Sequence, residues 1–247
     1  TVLKEIIKQL PNEDIIYLGD TARVPYGTKS IDVVKKYSKQ NVEFLLSHNV
    51  KTVVVACNTA SAASTEYLKE MFNEILIIDV IDPVIKYIKQ NLQVFKIRII
   101  GTATTIQSNA YQKSLKNMMP SVDILSKPCP LFVPLVEEGL FEGPITDSII
   151  EMYLSEMKHE GIQTVILGCT HYPMMKKSLQ KYFGNSVTIL DTAIYTAIKL
   201  SELLRKHDLV SPARKGRDSF FVTDSAFSFK KTAEMFLGFK IQDIFHI

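Results

Sequence analysis

Short apolar runs rich in Val, Ile and Leu alternate with helix-like segments along the whole chain. We predict strands at 15–18, 52–56, 75–80, 96–101, 122–125, 164–167, 187–190 and 219–222. We predict helices at 2–10, 31–47, 58–72, 131–138, 146–158 and 173–182. Two further helices are predicted to begin after Asp82-Pro83 and at about residue 110. One more is predicted to end at about residue 206, and another to lie around 229–236. Strands that alternate with helices favour an α/β fold with parallel sheets.

Two of these runs carry more specific expectations. The run at 52–56 is apolar without alternation, which is typical of a strand that is buried on both faces. The run at 219–222 is the one strand that we predict in the C-terminal tail. The densest basic stretch, at 214–217, is interpreted as a solvated loop.

Two cysteines lie in matching contexts, Cys57 in VVVACNTASA and Cys169 in TVILGCTHYP. Each follows an apolar run and precedes small polar residues that suit a helix start. Their separation of 112 residues is about the size of one domain. We therefore predict two pseudo-symmetric α/β domains with the active site between them. The first comprises 1–80 plus 191–247, and the second comprises 81–190.

Both cysteines are predicted at the carboxyl ends of parallel strands, where ligands collect in such sheets. A helix N-terminus lowers the pKa of a thiol, and its free backbone N–H groups suit a carboxylate. Asn58 and Thr59 follow the first thiol, and Thr170 and His171 follow the second. Two facing thiols are what a cofactor-free racemase needs, because one removes a proton from carbon and the other returns one to the opposite face. The alternative is that each cysteine is a small buried hydrophobe.

Several other polar residues have both a chemical and a structural interpretation. Asp20 follows a strand and could orient a thiol or form an Asx-type turn. Arg23 could neutralise a ligand carboxylate or bind a neighbouring acid. Tyr26-Gly27 offers backbone that a ligand can approach closely. Glu137 is a candidate partner for the second thiol, or part of a solvated acidic face.

Composition excludes some functional classes. The chain has 247 residues and a net charge of +3, too weak a bias to favour nucleic acid or a membrane surface. Its three cysteines have no paired spacing, which favours a reducing cytoplasm over a disulfide framework. No CxxC or HExxH motif is present, so we expect no metal site.

Five motifs in order resemble glutamate racemase of the aspartate/glutamate racemase superfamily. They are GDTARVPYGTKS, ACNTASA, GTATTIQSNAY, PLFVPLVEEG and LGCTHYP, spanning 19–173. The resemblance implies a cofactor-independent isomerase that supplies D-glutamate for bacterial peptidoglycan, and a homodimer. It implies that Cys57 and Cys169 are the catalytic thiols, assisted by Asp20, Glu137 and His171. It also implies that substrate contacts come from three pairs of residues: Tyr26-Gly27, Asn58-Thr59 and Thr170-His171.

The chain departs from this family at its beginning. The family starts with a strand and an Asp-Ser-Gly-x-Gly-Gly loop before the stretch that begins here as TVLKEI. We therefore expect a further segment upstream of Thr1. Two alternatives remain at this level: a racemase of aspartate or another amino acid, and a non-catalytic amino-acid-binding protein that kept the pocket.

Overall fold

The computed structural model describes residues 1–158, 161–214 and 216–247. Its helices are Val2–Gln9 (α1), Ile31–Leu46 (α2), Asn58–Met71 (α3), Asp82–Asn91 (α4), Ala103–Gln107 (α5), Ala110–Met118 (α6), Phe132–Glu137 (α7), Pro144–Leu154 (α8), Lys176–Phe183 (α9), Thr192–Lys206 (α10) and Ala226–Leu237 (α11). Its strands are Ile16–Gly19 (β1), Thr52–Val55 (β2), Leu76–Asp79 (β3), Lys96–Gly101 (β4), Asp123–Pro128 (β5), Thr164–Gly168 (β6), Thr188–Asp191 (β7), Ser219–Val222 (β8) and Ile244–His246 (β9).

Every pair of neighbouring strands in the described chain is parallel. The strands form sheets of order β1-β8-β9, β2-β3 and β5-β4-β6-β7. The predicted α/β class is therefore confirmed, and most predicted elements occur within a few residues of their expected bounds. The division into 1–80 plus 191–247 and 81–190 stays a prediction.

Local sequence explains several helix starts. The Ser30 side chain accepts from the Val33 backbone N–H at the start of α2. Asp191 caps α10 by accepting from Ala193 N at 2.9 Å. Such caps satisfy N–H groups that have no partner inside the helix.

The four-stranded sheet is covered on both faces, which holds its carboxyl edge in place. On β6, Ile166 faces one apolar cluster with α1, α4 and α10. Val165 and Leu167 face a second cluster, formed with α7, α8 and α9. Burial of apolar surface contributes roughly 25 cal/mol per Å², so a strand packed on both faces is a rigid support for the residues that follow it.

The structure corrects two predictions about strands. β2 alternates between buried and half-buried residues instead of being fully buried, and within the described chain it pairs only with β3. The tail contains a second strand, β9, beside β8. That strand is only three residues long and is created by pairing with β8, so its local sequence carries little signal.

The basic stretch at 214–217 is only partly described. Arg214 lies 3.7 Å from Asp14 and pairs with Asp218, and Lys215 lies outside the described residues.

Candidate active site

Cys57 lies directly between a strand and a helix, as the sequence predicts. It follows Ala56 at the carboxyl end of β2 and is the N-cap of α3, with φ −80° and ψ 125°. Burial raises the pKa of its thiol, although hydrogen bonds from the backbone of Ala60 and Thr59 favour the thiolate. The expected lowering of this pKa is therefore wrong, because removing the sulfur from water outweighs the helix N-terminus.

Cys169 follows β6 in the same way, but its downstream structure differs. A 3-10 helix, Tyr172–Met175, comes next, and α9 begins only at Lys176. The predicted matching helix start is thus replaced by a tight turn. Burial and, to a smaller extent, the charge of Cys57 raise the pKa of the Cys169 thiol to about 12. This electrostatic coupling shows that the two sulfurs lie in the same region of the molecule.

His171 connects Cys169 to Glu137. Its Nδ1 lies 3.9 Å from the Cys169 Sγ, and its Nε2 lies 3.3 Å from Glu137 Oε1. The hydrogen bond with His171 lowers the pKa of Glu137, so this carboxyl is ionised at neutral pH. If Nε2 donates to Glu137, Nδ1 is free to accept from a thiol. The structure therefore joins three of the predicted residues into a thiol–imidazole–carboxylate chain.

Asp20 lies in a hydrogen-bond network at the start of the loop after β1, and its catalytic role stays a prediction. Its carboxylate accepts from Arg23 Nε at 2.6 Å, from Thr223 Oγ1 at 3.1 Å and from the Tyr26 hydroxyl. Cys57 is not among its hydrogen-bond partners in the described chain. Arg23 therefore takes the second of its two predicted roles, binding a neighbouring acid. The network fixes the loop after β1, which carries Tyr26-Gly27.

The backbone at Gly27 approaches α5 closely. A Cβ at Gly27 would lie 2.7 Å from the Cβ of Thr102, which is too close for any side chain. Thr104 Oγ1 donates to the carbonyls of Gly27 at 2.9 Å and Lys29 at 3.0 Å. Only glycine permits this approach, which brings the loop after β1 against the end of β4.

Asn58 and Thr59 begin α3 and are both buried. The Asn58 Oδ1 accepts from the hydroxyl of Tyr111 on α6, while its Nδ2 is buried with no partner in the described chain. The Thr59 hydroxyl lies 2.9 Å from that of Thr102 and 3.2 Å from that of Thr105. The Nδ2 of Asn58 is therefore available to donate to a ligand. The hydroxyls of Thr59, Thr102 and Thr105 contact one another.

Sequence reasoning missed several neighbours of the predicted residues. Tyr111 lies inside one of the quoted motifs, but nothing local distinguishes it from a core tyrosine. Phe236 on α11 contacts the ring of His171 and comes from the tail, 65 residues later in the chain. Both contacts depend on tertiary structure, so no local pattern predicts them.

Three further findings concern the third cysteine, metal binding and membrane spanning. Cys129, predicted to be structural, is fully buried. Among the described residues, no group of three or more His, Cys, Asp and Glu side chains is placed to hold a metal ion. No helix in the described part of the chain has both the length and the apolar character needed to cross a membrane.

Comparison with known proteins gives consistent results. A family model described as Asp/Glu/Hydantoin racemase matches residues 1–198. A glutamate racemase of Geobacter metallireducens is 42% identical over 248 residues, covering 100% of this chain and 92% of that protein. A glutamate racemase of a Thermoanaerobacter species is 39% identical over 249 residues, with the same coverage of 100% and 92%.

Solved structures agree with the sequence matches. The crystal structure of glutamate racemase from Francisella tularensis, in complex with D-glutamate, has a TM-score of 0.94 and 36% identity, and the match covers 100% of this chain and 92% of that one. A glutamate racemase isoform from Bacillus anthracis has a TM-score of 0.94 and 38% identity, with the same coverage.

Proposed function

The chain belongs to the Asp/Glu/hydantoin racemase family, and we propose that it interconverts L- and D-glutamate without a cofactor. The observation that carries this proposal is the chain of contacts from Cys169 through His171 to Glu137, together with a second thiol, Cys57, at the carboxyl end of β2. The relatives named above support glutamate as the substrate. The enzyme is an isomerase that moves one proton to and from the α-carbon.

The proposed reaction is a two-base proton transfer. The thiolate of one cysteine removes the α-proton and becomes a thiol, while the thiol of the other cysteine protonates the opposite face and becomes a thiolate. The enantiomer that binds decides the direction. Each turnover therefore leaves the two sulfurs with exchanged protonation states and needs no other reagent.

The raised pKa values of both thiols mean that one of them must be deprotonated before the reaction begins. Burial favours the protonated form of each sulfur in the free protein. One thiol must therefore lose its proton to a nearby base before it can remove the α-proton of the substrate. On the Cys169 side that base is His171, whose imidazolium would be stabilised by Glu137 at 3.3 Å. Asp20 supports the Cys57 side by fixing the loop after β1.

Substrate contacts are proposed from three pairs of residues: Tyr26-Gly27, Asn58-Thr59 and Thr170-His171. The unpartnered Nδ2 of Asn58 is a donor beside Cys57. Backbone N–H groups at the start of α3 also face this region, and such groups stabilise developing negative charge on a carboxylate. Closure of the two proposed domains, 1–80 plus 191–247 and 81–190, would exclude water and strengthen these contacts.

The finer biological setting is also part of the proposal. D-Glutamate made by this reaction would supply bacterial peptidoglycan and so maintain cell wall and cell shape. The three free cysteines are suited to a reducing cytoplasm, and the family resemblance favours a homodimer.

Substitution of each cysteine tests the proposal. We expect Cys57→Ser and Cys169→Ser each to lose racemase activity by at least a thousandfold, because a serine hydroxyl is a much weaker acid than a thiol. Cys129→Ser is the matched control and should stay within threefold of the wild type, since the Cys129 thiol donates to the Lys127 carbonyl and takes no part in the proposed proton transfer. Near-normal turnover in either site variant would contradict the two-thiol assignment. Faster racemisation of aspartate than of glutamate would identify the alternative substrate, and no racemisation of either would favour a binding protein.

A further inference from the structure

The C-terminal helix α11 brings an aromatic ring against the proposed active site. The ring of Phe236 meets the imidazole of His171 edge to face, with centroids 5.3 Å apart and an interplanar angle of 78°. Phe236 also packs against the apolar cluster that contains Cys169. Phe236 therefore comes from a different part of the chain than Cys169 and His171, which follow β6, and Glu137, which ends α7.

The orientation of the His171 ring matters because both of its nitrogens have assigned directions. Nδ1 faces Cys169 at 3.9 Å, and Nε2 faces Glu137 at 3.3 Å. Rotation of the ring out of its present plane would carry Nδ1 away from Cys169 and Nε2 away from Glu137, and would break both contacts. The His171 side chain is 25% exposed, so burial alone leaves room for such a rotation.

The position of Phe236 is fixed by the anchoring of α11. The next residue, Leu237, is buried with Phe220 and Ile241. Phe229, two helical turns earlier and on the same face, lies 5.5 Å from the ring of Tyr17. The helix is therefore held at both ends, and Phe236 is a stable wall for the imidazole.

We propose that Phe236 is a positioning residue that holds His171 in the orientation needed for proton exchange with Cys169. This inference rests on the proposed racemase function. An edge-to-face aromatic contact is directional because the positive edge of one ring meets the negative face of another. An aliphatic side chain of similar size would fill the space but would lose this preference.

The experiment compares Phe236→Leu with Phe227→Leu, which makes the same change on the same helix at a position that is 85% exposed. Loss of one aromatic pair corresponds to about a threefold to tenfold change. We expect Phe236→Leu to lower kcat by that factor with KM within twofold of the wild type. Phe227→Leu should change kcat by less than twofold, and Phe236→Tyr, which keeps the ring, should keep kcat within twofold of the wild type.

A second measurement reads the imidazole directly. With ¹⁵N-labelled histidine, the wild type should show one dominant His171 tautomer, and Phe236→Leu should show averaged nitrogen signals. Phe236→Met serves the same purpose if the leucine variant does not fold. The proposal is overturned if Phe236→Leu keeps full kcat and one tautomer, or if Phe227→Leu has an equal effect. Inactive wild-type protein would instead contradict the proposed function itself.

Discussion

Glu137→Gln removes the negative charge that faces Nε2 of His171 while keeping the size of the side chain. A hydrogen bond that involves a charged group is worth about 1.5–3 kcal/mol. The Glu137 side chain is 53% exposed, so solvent reduces this to about 1–2 kcal/mol. If the imidazolium forms during proton transfer, kcat should fall about fivefold to thirtyfold.

The assay follows the loss of optical rotation of each glutamate enantiomer, in wild-type and His171→Ala backgrounds. Because Glu137 contacts the thiol only through His171, the His171→Ala substitution should remove the effect of Glu137→Gln. Glu137→Gln should then change kcat by less than twofold in the His171→Ala protein. The reasoning is refuted if Glu137→Gln keeps normal kcat, or if it lowers kcat equally in both backgrounds.

Three further predictions concern the thiols and the support of Asn58. Burial raises the pKa of Cys129 to about 12 from an ordinary value near 9, so its stabilising effect is complete below about pH 9 and is lost as the pH rises towards 12. Denaturant titrations should show that the free energy of unfolding of Cys129→Ala falls less steeply above pH 9 than that of the wild type. The two slopes should differ by about 1.4 kcal/mol per pH unit, and equal slopes would contradict the raised pKa. Alkylation of Cys57 by iodoacetamide should keep accelerating beyond pH 9, because burial raises its pKa, and a plateau at pH 8 would contradict this. Tyr111→Phe removes the hydroxyl that donates to Asn58. It should lower the free energy of unfolding by about 1–2 kcal/mol and increase the KM for glutamate. Unchanged values of both quantities would refute the positioning of Asn58 by Tyr111.

The fold was largely predictable because its signals are local. Val165, Ile166 and Leu167 form a continuous apolar run, and the structure buries that run on both faces of the sheet. β9 was not predictable, since Ile244–His246 becomes a strand only through pairing with β8.

The candidate site was predictable in its residue types and less so in its electrostatics. The strand-end positions of Cys57 and Cys169 follow from the sequence pattern alone. Their raised pKa values do not, because desolvation depends on how many distant segments cover each sulfur. The link from His171 to Glu137 joins a strand end to a helix 34 residues earlier in the chain. The sequence indicated that each of the two residues assists a catalytic thiol, but their contact with each other depends on tertiary structure.

The most direct test of the account is racemisation of unlabelled glutamate in D₂O, with deuterium measured in both enantiomers at low conversion. Two facing thiols remove protium from one face and deliver solvent deuterium to the other. We therefore expect the product enantiomer to carry deuterium at the α-carbon while the remaining substrate keeps its protium. Deuterium appearing in the remaining substrate as fast as in the product, or product that retains the original protium, would contradict the two-thiol mechanism.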